Sequence, residues 1–102
     1  MSSVNADCLL TIKRCDNIAS LTEPLIRTAF KQYAIGRIAK FEEREEIVIE
    51  FTSQEELELL DMEFEEGKVP LLGTNAYYDV DAVADPKEFL ERYERSIIKS
   101  EP

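Results

Sequence analysis

The stretch Ile35-Gly36-Arg37-Ile38-Ala39-Lys40-Phe41-Glu42-Glu43-Arg44-Glu45-Glu46-Ile47-Val48-Ile49-Glu50-Phe51-Thr52 decides the fold. It reads as two strands, residues 35–42 and 46–52, joined by a short acidic turn. In the second strand Ile47, Ile49 and Phe51 face one way and Val48 and Glu50 the other. Successive strand side chains alternate between faces, so this pattern sets one face of an antiparallel sheet on a core.

Upstream of the hairpin, Cys8-Leu9-Leu10-Thr11-Ile12-Lys13-Arg14 reads as a strand. Cys8, Leu10 and Ile12 share one face; Leu9, Thr11 and Lys13 share the other. Residues 17–34 read as a helix, with Ile18, Leu21, Leu25, Ala29 and Tyr33 near helical spacing and Ile26 and Phe30 widening the stripe. Ser20 and Glu23 have capping-box spacing and Pro24 falls in the first turn, so Asp16 or Ser20 is the expected start.

Downstream, Ser53-Gln54-Glu55-Glu56 is a capping box opening a helix over 53–66, with Leu57, Leu60 and Phe64 on one face and Gly67 just past its end. Leu60, Met62 and Phe64 also alternate with acids, which leaves a strand over 60–65 as the alternative. Residues 68–75 read as a loop. Residues 76–83 read as a strand with Tyr78, Val80 and Ala82 inward. A last helix spans 86–99, with Asp85 as N-cap, Pro86 at the first helical position and Phe89, Leu90, Tyr93 and Ile97 as its stripe. Glu88–Arg92 and Glu91–Arg95 have the spacing of intrahelical ion pairs.

The element order is β-α-β-β-α-β-α. The expected class is α+β: a ferredoxin-like β-α-β-β-α-β antiparallel sheet plus a C-terminal helix that covers the open face or caps an edge. One domain over 8–99 is expected, between flexible residues 1–7 and 100–102. Apolar residues make up 44% of the chain, which is globular composition despite the charge. No run approaches the roughly 18 apolar residues of a membrane span, and Met1–Asp7 lacks the basic-then-apolar pattern of a secretory leader, so a cytoplasmic protein is expected. Cys8 and Cys15, seven residues apart along an extended chain, would lie roughly 23 Å apart, far beyond the about 7 Å of a disulfide. Two reduced thiols are expected.

The charge is concentrated. The net charge is −10, yet residues 42–66 alone hold twelve acids against Arg44. The first 41 residues are net positive. Concentrated acid disfavours phosphate backbones and anionic membranes and favours a basic protein partner.

The chemistry-bearing patterns are few. The chain has no histidine, which removes the commonest general base and metal ligand and rules out Ser–His and Cys–His pairs. Asp79, Asp81 and Asp85 lack the glycine and distal glutamate of a calcium loop, and Asp85 is explained as a cap. The third strand lacks the basic and aromatic signature of an RNA-binding sheet. No cofactor or metal is expected.

These observations point to a non-enzymatic acidic protein-binding module, in its most concrete form an inhibitor or immunity-type protein covering a nucleic-acid-binding surface. Its contact residues would be Glu42, Glu43, Glu45, Glu46, Glu50, Glu55, Glu58, Asp61 and Glu65 as an acidic rim. Val69, Leu71 and Leu72 would serve as an apolar anchor if their loop is exposed rather than packed under the sheet edge. The alternative is a small-ligand or self-associating regulatory domain using the open sheet face. A homodimer there would cover Leu9, Val48 and Ile38.

Overall fold

The computed structural model describes residues 4–64, 67–79 and 84–100. Among the described residues the fold is α+β, with four strands in one antiparallel sheet and three α-helices. The strands are β1 (Leu9–Lys13), β2 (Ile35–Phe41), β3 (Glu46–Phe51) and β4 (Tyr77–Asp79), in the order β2-β3-β1-β4. The helices are α1 (Glu23–Ala29), α2 (Gln54–Glu63) and α3 (Pro86–Ser100).

Register follows side-chain size and polarity. Leu10 opposes Ile49 and Ile12 opposes Ile47 across β1 and β3, and Ile38 opposes Ile49 across β2 and β3. A slip by one residue would send these side chains to the other face. They build the larger core, where Leu10, Ile12, Ile47, Ile49 and Phe51 meet Ile26 and Phe30 from the α1 segment and Leu60 from α2. Rings of Phe30, Phe64 and Tyr78 stack edge to face, with centroids 6.0 and 6.4 Å apart.

The second face carries a smaller core, in which Leu9, Ala39, Phe41 and Val48 pack under Phe89 of α3. α3 therefore covers the open face rather than an edge. Val4, which the sequence alone left in a flexible terminus, packs here too. With Leu9 and Val48 covered inside one chain and Ile38 in the opposite core, the three residues expected to need a dimer do not.

The expected helix over 17–34 is divided. Residues 18–20 form a single 3-10 turn and α1 begins only at Glu23. Pro24 explains the break: inside a longer helix its ring would clash with the carbonyl of Ser20 and remove a backbone donor, whereas within the first turn it costs nothing. The N-cap is Thr22, whose Oγ1 accepts from the Leu25 N–H at 3.4 Å, in place of Asp16 or Ser20. This start turns Ile26 and Phe30 inward and leaves Leu25 54% exposed.

α2 follows its capping signal, with the Ser53 Oγ accepting from the Glu56 N–H, and residues 60–63 are helical rather than extended. The helix ends at Phe64, so Gly67 is not its C′ residue. Gly67 is needed instead for a left-handed φ of 71°, with the Tyr78 carbonyl 3.0 Å from where a Cβ would stand. On α3, Phe89 is fully buried while Leu90 is only half-buried. Val80, Asp81 and Ala82, the side chain of Ile97, and residues 1–3 and 101–102 lie outside what the structure describes.

Candidate functional site

The acids of 42–66 divide into those the fold consumes and those it leaves free. The tip between β2 and β3 is a 3-10 turn, Glu42–Arg44, closed by Glu45 at φ 55°. The Glu45 carbonyl accepts from the Cys15 N–H at 2.9 Å, so this residue anchors a turn. Glu43 reaches across to α3, where both Arg92 terminal nitrogens donate to its carboxylate at 2.8 and 2.6 Å. Arg44 reaches the same helix and pairs with Glu88 at 2.8 Å. Both guanidiniums lie over the buried Phe41 ring, that of Arg44 4.7 Å and that of Arg92 4.6 Å from its centroid. This crossed clasp ties the hairpin tip to α3 and replaces the intrahelical Glu88–Arg92 pair that spacing suggested. Arg92 holds the Glu43 carboxyl down to about 2, and Arg44 lowers that of Glu88.

Glu50 is consumed in a different way. β2 carries a bulge between Ile35 and Ile38, and Glu50 fills it. Its carboxylate accepts the Arg37 backbone N–H at 3.2 Å and two guanidinium N–H groups at 2.8 Å each. Gly36 makes room: a Cβ there would stand 2.9 Å from the Glu50 carboxylate. The hydrogen bonds from Arg37 outweigh desolvation and lower the Glu50 pKa.

On α2, Asp61 accepts a 2.6 Å bond from the Tyr78 hydroxyl and Glu63 a 2.6 Å bond from that of Tyr33. Burial, then Glu63, pushes the Tyr33 phenol up to about 12; burial and Asp61 raise Tyr78 as well. Glu42 is exposed, with Lys40 3.9 Å away, and Glu46 is half-buried opposite Phe41. Glu65 lies outside the described residues.

Elsewhere in the run the carboxylates of Glu45, Glu46 and Glu56 have no ion pair or hydrogen bond among the described residues. On the outer face of α2 stand Glu55 and Glu58. Both are exposed, and neither has an ion pair or hydrogen-bonded partner for its carboxylate among the described residues. Beside them stand two side chains that sequence reasoning missed. Leu59 is 51% and Met62 83% exposed. Neighbours on a helix surface are three and four residues apart, so Glu55, Glu58, Leu59 and Met62 form one contiguous patch opposite the Leu60 core face. The signal was present in the spacing: Leu59 and Met62 fall off the face shared by Leu57, Leu60 and Phe64.

The expected apolar anchor is corrected. Val69 is fully buried and Leu72 is 1% exposed, both inside the larger core, so neither is available to a partner. The packing has a local cause: the Val69 N–H bonds the Ala76 carbonyl and a 3-10 turn over Pro70–Leu72 folds the loop under the sheet. The side chain of Leu71 lies outside the described parts.

Cys8 and Cys15 are free and buried, and burial pushes the Cys15 thiol up to about 11. Asp79 lies 3.8 Å from Lys13 and Asp85 accepts from the Lys87 N–H at the start of α3. Among the described residues, no cluster of three or more Cys, Asp or Glu is placed to hold a metal ion, and no helix is long and apolar enough to cross a membrane. No family model, curated protein or solved structure matches this chain.

Proposed function

We propose that the protein is a non-enzymatic binding module that docks on a basic protein surface through the outer face of α2. One observation carries the reading: Glu55 and Glu58 keep their charge unpaired beside the exposed Leu59 and Met62. An apolar centre gives a contact its affinity, and the surrounding charge steers the encounter and selects the sign of the partner. Exposed large apolar side chains set side by side on a helix are the usual mark of such a surface. The most concrete version is an inhibitor or immunity-type protein of the cytoplasm that covers the nucleic-acid-binding surface of its target by presenting acid where phosphate would sit. Direct binding of nucleic acid is disfavoured by the −10 charge. We read the strand order β2-β3-β1-β4, with α1 and α2 on one face, as a ferredoxin-like arrangement to which α3 is added. The alternative of self-association or small-ligand binding at an open sheet face loses its support, because α3 occupies that face.

Affinity capture tests the proposal. Wild-type protein and a Glu55→Lys/Glu58→Lys variant serve as matched baits in host extract, at low and at physiological salt. A basic protein held by wild type, released by salt and absent from the variant is the expected result. Retention by both baits alike would remove α2 as the docking face.

A further inference from the structure

The sulfur atoms of the chain divide by exposure. The sequence holds two cysteines, Cys8 and Cys15, and two methionines, Met1 and Met62. Both thiols are shielded. Cys8 is buried, and Cys15 is fully buried with its Sγ 3.7 Å from the Ile12 carbonyl oxygen. Burial raises both, Cys15 to about 11, so at neutral pH neither holds much of the thiolate that oxidants attack. Met62 is the opposite case. It is 83% exposed, and a thioether has no proton to lose before it reacts, so solvent access governs its oxidation. The helix around it is held independently: its neighbours Asp61 and Glu63 accept 2.6 Å bonds from the Tyr78 and Tyr33 hydroxyls. A change at the Met62 sulfur therefore alters the outer surface of α2 and leaves its anchorage in place.

We infer that Met62 is an oxidation site that switches the α2 docking face off. The inference rests on the docking reading above and adds the regulation of that surface. The oxidant is hydrogen peroxide. A lone pair of the thioether attacks one peroxide oxygen, an S–O bond forms as the O–O bond breaks, and the second oxygen leaves with both protons as water. Sulfur is oxidised by two electrons and peroxide is reduced by the same two. The product, methionine sulfoxide, places a polar acceptor oxygen where the patch was apolar. Of the apolar pair only Leu59 is then left, and a desolvated apolar centre is where such a contact draws most of its affinity. Glu55 and Glu58 keep their charge, so the encounter is still steered and the loss falls on the dissociation rate. Methionine sulfoxide reductases reverse the step, oxidising a dithiol to a disulfide and releasing the oxygen as water.

Folded wild type is treated with hydrogen peroxide at neutral pH, mapped by peptide mass spectrometry, and used as bait in host extract beside untreated wild type. Met62 should gain one oxygen before either cysteine is modified, with the melting temperature unchanged. Basic proteins retained by the untreated bait should fall by at least about tenfold on the oxidised one, and return after treatment with both epimer-specific reductases and dithiothreitol. Met62→Leu has no sulfur at this position; whatever its own level of capture, peroxide should not change it. Met62→Gln, polar at the same place, should behave like oxidised wild type without any treatment. The inference is overturned by modification of Cys8 or Cys15 ahead of Met62, by undiminished capture on the oxidised bait, or by an equal peroxide-dependent loss in Met62→Leu. Failure of the docking reading is a separate result: untreated wild type and Glu55→Lys/Glu58→Lys would then retain the same proteins, and the switch would fall with it whatever happens at the sulfur.

Discussion

Glu43 illustrates how little of an acidic run need face a partner. Its carboxylate is held by both Arg92 terminal nitrogens, which keeps it ionised far below the usual carboxylate range, to about 2. A carboxyl lowered in the folded state contributes its stability above its ordinary pKa, about 4.5, and loses it as pH falls toward 2. Glu50, lowered by Arg37, acts with the same sign. Carbon-detected titration of Glu43 should give a midpoint near 2, and Arg92→Ala should raise it toward the ordinary range, with a backbone hydrogen bond and Arg44 still lowering it. A midpoint near 4.5 in wild type would mean that the clasp between tip and helix does not form. The thiols offer a second check at this scale. Cys15 is fully buried and its thiol is pushed up to about 11, and Cys8 is buried and raised too. Neither should react with a thiol reagent at neutral pH in the folded protein, and both should react once it is unfolded without reductant. A blocked pair after unfolding would reveal a cross-link and contradict the extended path from Cys8 toward Cys15.

The elements show where pattern sufficed and where it did not. The hairpin was readable because Ile47, Ile49 and Phe51 alternate with Val48 and Glu50 beyond an acidic turn, and α2 because Ser53 and Glu56 mark its start; the bulge between Ile35 and Ile38 left no mark in the pattern. The segment 17–34 was not: its apolar residues fit a helical stripe from end to end, and only the position of Pro24 decides that the first part cannot belong to the same helix. Thr22→Ala should therefore cost about 1 kcal/mol by losing the N-cap, while Ser20→Ala should change melting little. The reverse ranking in thermal unfolding would move the helix start back to Ser20. On α3 the sequence placed Phe89 and Leu90 in one stripe, but a helix resting on a flat sheet centres one of them, and Phe89 is 1% exposed. Phe89→Ala and Phe51→Ala should each cost roughly 3–5 kcal/mol, and the half-buried Leu90→Ala clearly less. Equal losses at Phe89 and Leu90 in denaturant unfolding would mean that α3 is rotated on the sheet.

At the scale of the whole molecule, composition announced a field but not its address. Counting charges along 42–66 treats every acid alike. Folding pairs Glu43 with Arg92 and Glu50 with Arg37, and gives Asp61 and Glu63 to tyrosine hydroxyls. These partners lie between 13 and 49 residues away in the chain, beyond any local pattern. Among the acids left unpaired, those on the outer face of α2 stand beside two exposed apolar residues, which complete a surface that charge alone did not suggest. The most direct test measures association rates with the partner recovered by capture, at 0.01 M and 0.15 M salt. Three proteins are compared: wild type, Glu55→Lys/Glu58→Lys, and Glu91→Lys/Glu94→Lys as a control of equal charge on α3. Wild type and the α3 control should both associate quickly at low salt and slow by at least about tenfold at higher salt, where the Debye length falls from about 30 Å to about 8 Å. The α2 variant should be slow at both. Equal slowing of the two variants would show that only net charge matters, and that α2 is not the docking face.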